Sequence, residues 1–178
     1  MTTTGYASVD FNEWLAAPFA AMVVVVLMFA GGSAGSTAGS IKVVRHVLIA
    51  KILRRELDQT MHPEVVAPIR LNGSAVNERT LRAVISFVLL YVGIFVAGAT
   101  LLLLDSSRAG VELTPFDAIA AAATTLGNVG PAFGFAGPMG SFEPFSDVST
   151  GIMIALMWLG RLEIIPIVVL FTRSYWRS

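Results

Sequence analysis

Ten consecutive residues, Gly31-Gly32-Ser33-Ala34-Gly35-Ser36-Thr37-Ala38-Gly39-Ser40, interrupt a hydrophobic run before it is long enough to cross a bilayer. Residues 18–30 before them are almost purely apolar, whereas 41–57 after them are helix-like and carry Lys42, Arg45, Lys51, Arg54 and Arg55. A spanning helix needs about 20 apolar residues. The Gly-rich segment is therefore expected in the inner half of the bilayer, where irregular backbone is tolerated only against protein or water. Such a break points to a pathway for a polar solute.

The composition fits a membrane protein, with 55% apolar and only 13% charged residues, and a mean hydropathy of +0.74. A soluble domain of this size carries about twice that share of charge. Charge placement sets the orientation, because eight of the twelve Lys and Arg lie between Lys42 and Arg82. The segment 105–149 instead holds Asp105, Glu112, Asp117, Glu143 and Asp147 against Arg108. The positive-inside rule puts the first region in the cytoplasm and the second outside, with Arg173 and Arg177 returning inward. A net charge of zero, with the cations gathered in one segment, gives no sign of nucleic-acid binding. The lack of Cys excludes disulfides, thiolate metal sites and Cys nucleophiles. The polar opening Met1 to Tyr6 has no signal-peptide character, and the reading starts as if inside a larger unit.

In chain order, 18–30 enters from outside, the Gly-rich segment breaks it, and 41–57 leaves on the basic side as one discontinuous crossing. Residues 61–73 hold Pro63, Pro68 and Asn72-Gly73, signals for extended chain and a turn, so 58–79 is expected to be a compact cytoplasmic loop with a small hairpin. Asn77 can cap the helix that follows, and 80–104 is a second crossing with Arg82 able to snorkel to the inner interface. Thr114 and Pro115 then start a short Ala-rich helix over 115–126, about half the hydrocarbon thickness in length and so re-entrant. It ends in Gly127-Asn128-Val129-Gly130-Pro131, and 149–171 crosses a third time. His46 and His62 are expected at the interface and in the loop, and Met153 and Met157 as packing residues.

An internal repeat links the two ends. Leu27-Met28-Phe29-Ala30-Gly31-Gly32 matches Leu156-Met157-Trp158-Leu159-Gly160-Arg161. Upstream, Thr3-Thr4-Gly5-Tyr6 and Asn128-Val129-Gly130-Pro131 fall in equivalent places, differing by four residues of external loop. The repeating unit reads as helix, pore helix, filter, helix, complete over 80–178 and present over 1–57 only as filter and broken inner helix. The chemistry of such a unit is ion selection, in which a Gly-containing turn aims backbone carbonyls at an axis to replace the hydration shell of a cation. Arg161, in mid-helix, requires a cavity or a partner. Glu163, two residues on, does not share its face. Arg161 is either satisfied structurally by exposed carbonyls or bonds the Gly-rich loop beneath the filter and sets its open and closed states, and the two roles are compatible.

These motifs in order resemble the Trk/Ktr/HKT superfamily of potassium transporters, most closely the bacterial Trk-type uptake membrane subunit. The resemblance rests on Thr2-Thr3-Thr4-Gly5-Tyr6, Gly31 to Lys42, Pro68-Ile69-Arg70-Leu71-Asn72-Gly73, Asn128 to Pro131 and Gly160-Arg161-Leu162-Glu163, with Ser33 in place of a familiar Cys. It implies an all-α integral membrane fold of four repeats around one pore, of which this chain carries the end of the third and the whole fourth. It implies potassium passing filter residues Thr3, Thr4, Gly5, Tyr6, Asn128, Val129, Gly130 and Pro131, bound through backbone carbonyls. A gate is implied at Gly31, Gly32, Gly35, Ser36, Thr37, Gly39, Lys42 and Arg161. No covalent cofactor is implied. The expected partners are membrane lipid, the missing N-terminal repeats of the same subunit, a second copy in a homodimer and a cytoplasmic nucleotide-binding regulatory subunit, all at the cytoplasmic (inner) membrane.

Two filter strands cannot encircle an ion, so a fragment of the pore subunit is expected; a non-conducting helical assembly module is the alternative. Other classes fit less well. Gly39-Ser40-Ile41-Lys42 departs from the P-loop pattern, which argues against nucleotide binding by the chain itself. Enzyme signatures such as His-Glu-x-x-His, paired intramembrane aspartates and Gly-x-Ser-x-Gly are not found in the sequence.

Overall fold

The computed structural model describes residues 3–33, 35–62, 64 and 68–162. The chain is mostly helical. After a 3-10 turn at Phe11–Ala16, whose Asp10 cap accepts the Asn12 N–H at 3.0 Å, Pro18 opens α1 (Pro18–Met28). A fixed φ and a missing N–H suit Pro to a first helical position. Helix α1 ends two residues short of the expected 18–30, because the chain there turns to meet its own return. Gly31 N–H donates to Ile41 O (2.9 Å), Ile41 N–H to Phe29 O (3.2 Å) and Val43 N–H to Gly32 O (3.1 Å). The Gly-rich segment is thus a side excursion closed at its base, and these bonds satisfy main-chain groups that the helix break would leave unpaired.

Helix α2 (Val43–Met61) runs four residues past the expected end at 57 and shortens the predicted 58–79 loop. The hairpin is present, with β1 (Arg70–Leu71) antiparallel to β2 (Ser74–Ala75) around Asn72 (φ 50°) and Gly73 (φ 83°), as an Asn-Gly turn favours. Asn77 caps α3 (Glu78–Ala109), its side chain accepting from Arg79 N–H at 2.9 Å. Among the described residues α3 is the one helix long and apolar enough to cross a membrane. It extends five residues beyond the expected 80–104 at its C-terminal end. There Asp105 is satisfied across the fold by the hydroxyls of Ser149 (2.6 Å) and Ser146, and Gly110 closes the helix at φ 70°.

Helix α4 (Pro115–Gly127) starts where expected, with Thr114 Oγ1 accepting Asp117 N–H at 3.1 Å. Its Ala surface has no long side chains to hold neighbours away, and Ala118 and Ala120 to Ala123 are at most 2% exposed between α3 and α5. Helix α5 (Asp147–Arg161) begins two residues before the expected 149, because Ser146 caps it through Ser149 N–H (3.0 Å). The remainder of the expected 149–171 crossing, Glu163 and the Arg173 and Arg177 anchor lie outside the described residues, as does Thr2. The main core joins Val25 and Met28 of α1, Phe87, Tyr91 and Leu102 of α3, the inner face of α4, and Met153 and Leu156 of α5. Met157, expected as a packing residue, is 41% exposed, since it faces away from that core. A second cluster of Leu48, Ile52, Ile69, Leu81 and Val84 fixes α2 and the hairpin to the start of α3.

Candidate ion pathway

The two segments matched in the sequence adopt the same backbone pattern. Thr3 and Asn128 both sit at φ 52°, and two residues on Gly5 and Gly130 sit at φ 77° and 121°. A β-branched residue in the left-handed region is costly and has to be held by its surroundings. The segments also lie side by side. A Cβ on Gly130 would come 3.0 Å from Gly5 Cα, and one on Gly5 would come 3.2 Å from Val129 O, so both φ and space demand glycine.

The second segment hangs from the end of α4. Asn128 N–H donates to Thr125 O (3.2 Å), Val129 N–H to Thr124 O (2.9 Å) and Gly130 N–H to Thr124 Oγ1 (3.0 Å). With its N–H groups committed to the helix, the strand's carbonyl oxygens are the polar atoms left to offer a cation. The first segment is held by its neighbour instead. Just beyond it, Asn12 Nδ2 donates to Gly134 O and Gly134 N–H donates to Asn12 Oδ1, each at 2.8 Å, while Phe11 packs on Phe133. A cavity of about 220 Å³ opens along Thr3, Thr4, Gly5, Tyr6, Val129 and Pro131, with Tyr6 95% exposed.

The Gly-rich loop seats against the same place. Gly39 N–H donates to Thr3 Oγ1 at 3.2 Å, and Gly39 packs so closely on the end of α4 that a Cβ would fall 2.1 Å from Gly127 O. Ser40, at φ 61° and 8% exposed, donates its hydroxyl to Met28 O at 2.5 Å and lies 3.1 Å from Gly127 O. At the loop base Gly31 is buried; at its tip Gly35 is open, and Ser36 Oγ accepts Ala38 N–H at 3.1 Å. Arg161, at the end of α5, donates to Thr37 O at 2.8 Å, and Lys42 stands at the N-cap of α2. Arg161, Lys42, Arg45 and the loop residues Ser36 to Ser40 surround a space of about 90 Å³ beneath the loop. The α5 turn is tied to the start of the 128–131 segment as well, since Asn128 Nδ2 donates to Met157 O at 3.2 Å and Gly160 abuts Leu126 O.

Three residues of this arrangement escape sequence reasoning as site residues. Thr124 carries a signal, a Thr pair closing an Ala run one turn before the 128–131 segment. Ser40 sits in the Gly-rich motif but shows its latch role only through its left-handed φ. Asn12 has no local signal, because its partner is 122 positions away. Among the described residues no cluster of three or more His, Asp or Glu could hold a metal ion.

Residues 1–178 match the family described as "TrkH: Cation transport protein". The chain is 36% identical to the Trk system potassium uptake protein TrkI of Halomonas elongata, over 100% of this chain and 35% of that protein. It is likewise 36% identical to the Trk system potassium uptake protein TrkH of Escherichia coli K12, over 99% of this chain and 35% of that one. The crystal structure of the potassium transporter TrkH from Vibrio parahaemolyticus superposes with a TM-score of 0.85 at 33% identity, covering 99% of this chain and 36% of that one. The chain thus spans about a third of the length of the relatives it matches.

Proposed function

Because this chain belongs to the TrkH cation transport protein family, we propose that it supplies two adjacent filter strands and an intramembrane gate to a potassium-uptake pore. The observation that carries this reading is the paired backbone of 3–6 and 128–131, left-handed at the same two positions and in contact through Gly5 and Gly130. In it, potassium passes carbonyls of Thr3, Thr4, Gly5, Tyr6, Asn128, Val129, Gly130 and Pro131, which replace part of its hydration shell. The Gly-rich loop lies under those strands as the gate, and Arg161 holds it through Thr37.

On this reading 1–57 is the end of one pore repeat, 58–79 a cytoplasmic connection and 80–178 a complete second repeat. The subunit is multi-pass in the cytoplasmic membrane, with α4 as re-entrant pore helix. Two strands cover only part of a ring around an ion, so further repeats of the same subunit complete the filter. A homodimer and a cytoplasmic nucleotide-binding regulatory subunit complete the working assembly. That the relatives are potassium uptake proteins favours transport over a non-conducting assembly module. The test is a chimera in which this chain replaces the matching segment of Escherichia coli TrkH. It should restore growth at low potassium to an uptake-deficient strain, and a chimera that reaches the membrane without restoring growth would refute the assignment.

A further inference from the structure

A second group of cations lies away from the pathway. Lys51, Arg54 and Arg55 of α2 face Ile69 and Arg70 of the hairpin across a cleft of about 300 Å³, with Asp58 the one carboxylate among its described lining residues. Lys51 Nζ is fixed at the rim by donating one N–H to Arg70 O at 2.6 Å, which leaves two for a ligand. Arg55 is held by Glu78 at 2.5 Å and by Glu56 at 3.4 Å, and its buried Nε has no partner among the described residues. The guanidinium groups of Arg54 and Arg70 make no ion pair among the described residues.

Its depth follows from α3. Between Arg82 and Asp105 lie 22 uncharged residues, about 33 Å of helix, close to the thickness of a hydrocarbon core. Leu81, at the inner end of that span, packs in one cluster with Leu48, Ile52 and Ile69, so the cleft beside them is at headgroup level. From Arg54 back towards the membrane centre, Ala50, Val47 and Val43 follow at four, seven and eleven residues, one stripe of the helix. All three are exposed, Val47 and Val43 by 39% and 41%.

We infer that the cleft of Lys51, Arg54, Arg55 and Arg70 binds the phosphate of an anionic phospholipid of the inner leaflet, with an acyl chain lying along Ala50, Val47 and Val43. Cations grouped at headgroup depth attract anionic lipid, and a phosphate suits the fork of a guanidinium. The site rests on the membrane placement proposed above and is independent of the ion pathway.

The test reconstitutes the full chain in phosphatidylcholine nanodiscs containing increasing phosphatidylglycerol and counts retained lipid by native mass spectrometry. The chain should retain phosphatidylglycerol over phosphatidylcholine, and the double variant R54Q/R70Q should lower that preference by about thirty-fold. R108Q, on the outer side, should leave it unchanged. If the double variant fails to fold, R54Q alone, at an exposed residue, should lower it by about fivefold. Displacement by inorganic phosphate at equal concentration would identify a soluble anion as the ligand and overturn the inference. So would an equal loss in R108Q, or the absence of any preference, which would leave the cleft to an acidic protein segment. Failure of the chain to enter nanodiscs would instead overturn the membrane placement itself.

Discussion

The two proposed filter segments share one backbone pattern and differ in the contacts that hold them among the described residues. Residues 128–131 are suspended from their own helix, with three successive N–H groups accepted by Thr124 and Thr125. Residues 3–6 are braced from the side by Gly130 and by the Asn12–Gly134 pair, and from below by Gly39. The contrast teaches that backbone geometry, rather than any side chain, is what the two copies hold in common. Thr3 matches Asn128 and Tyr6 matches Pro131 with little chemical likeness, yet the left-handed positions coincide.

The largest effect should come from the shared element. Gly130→Ala forces a side chain into φ 121° against Gly5 Cα, a strain of about 1–3 kcal/mol. In the Escherichia coli chimera it should cut rubidium uptake by about tenfold or more at normal membrane abundance. Gly5→Ala should do nearly as much, and a benign Gly5→Ala beside a severe Gly130→Ala would break the equivalence of the strands.

Next comes Thr124→Val, which removes the acceptor of Gly130 N–H while keeping the shape. Gly130 is exposed, so the lost bond is worth about 1 kcal/mol, and the loss should appear as reduced preference for potassium over sodium in competition uptake. Asn12→Ala removes two bonds to Gly134, each worth about 1 kcal/mol, but they lie outside 3–6 and 128–131, so its selectivity change should be smaller. The reverse ranking would mean that the lateral brace, not the pore helix, sets the filter. Arg161→Ala, which frees Thr37 O, should alter single-channel open probability more than selectivity; a large selectivity shift with unchanged gating would remove Arg161 from the gate.

Much of this was legible in the sequence because the signals are local. Proline at the start of α4, Asn77 and Thr114 as caps and Asn72-Gly73 as a turn each act within a few residues, and each stands where expected. The Gly-rich interruption likewise located the break between α1 and α2. Helix ends failed where tertiary partners decide them. Asp105 and Ser106 look like a stop, yet α3 continues because Ser146 and Ser149 satisfy the carboxylate from α5. Helix α1 stops early because Ile41 comes back to pair with its last residues. In the site, glycine positions could be read directly, whereas Asn12 and the latch of Ser40 depend on contacts that no spacing encodes.

The central claim, that 3–6 and 128–131 are neighbouring strands of one cation filter, is tested most directly by rubidium flux. The chimera, with and without Gly130→Ala, would be reconstituted in liposomes with potassium or sodium as competitor. The account predicts uptake that potassium blocks far better than sodium, and its collapse in the glycine variant. Undiminished and equally selective uptake by the Gly130→Ala protein would contradict it.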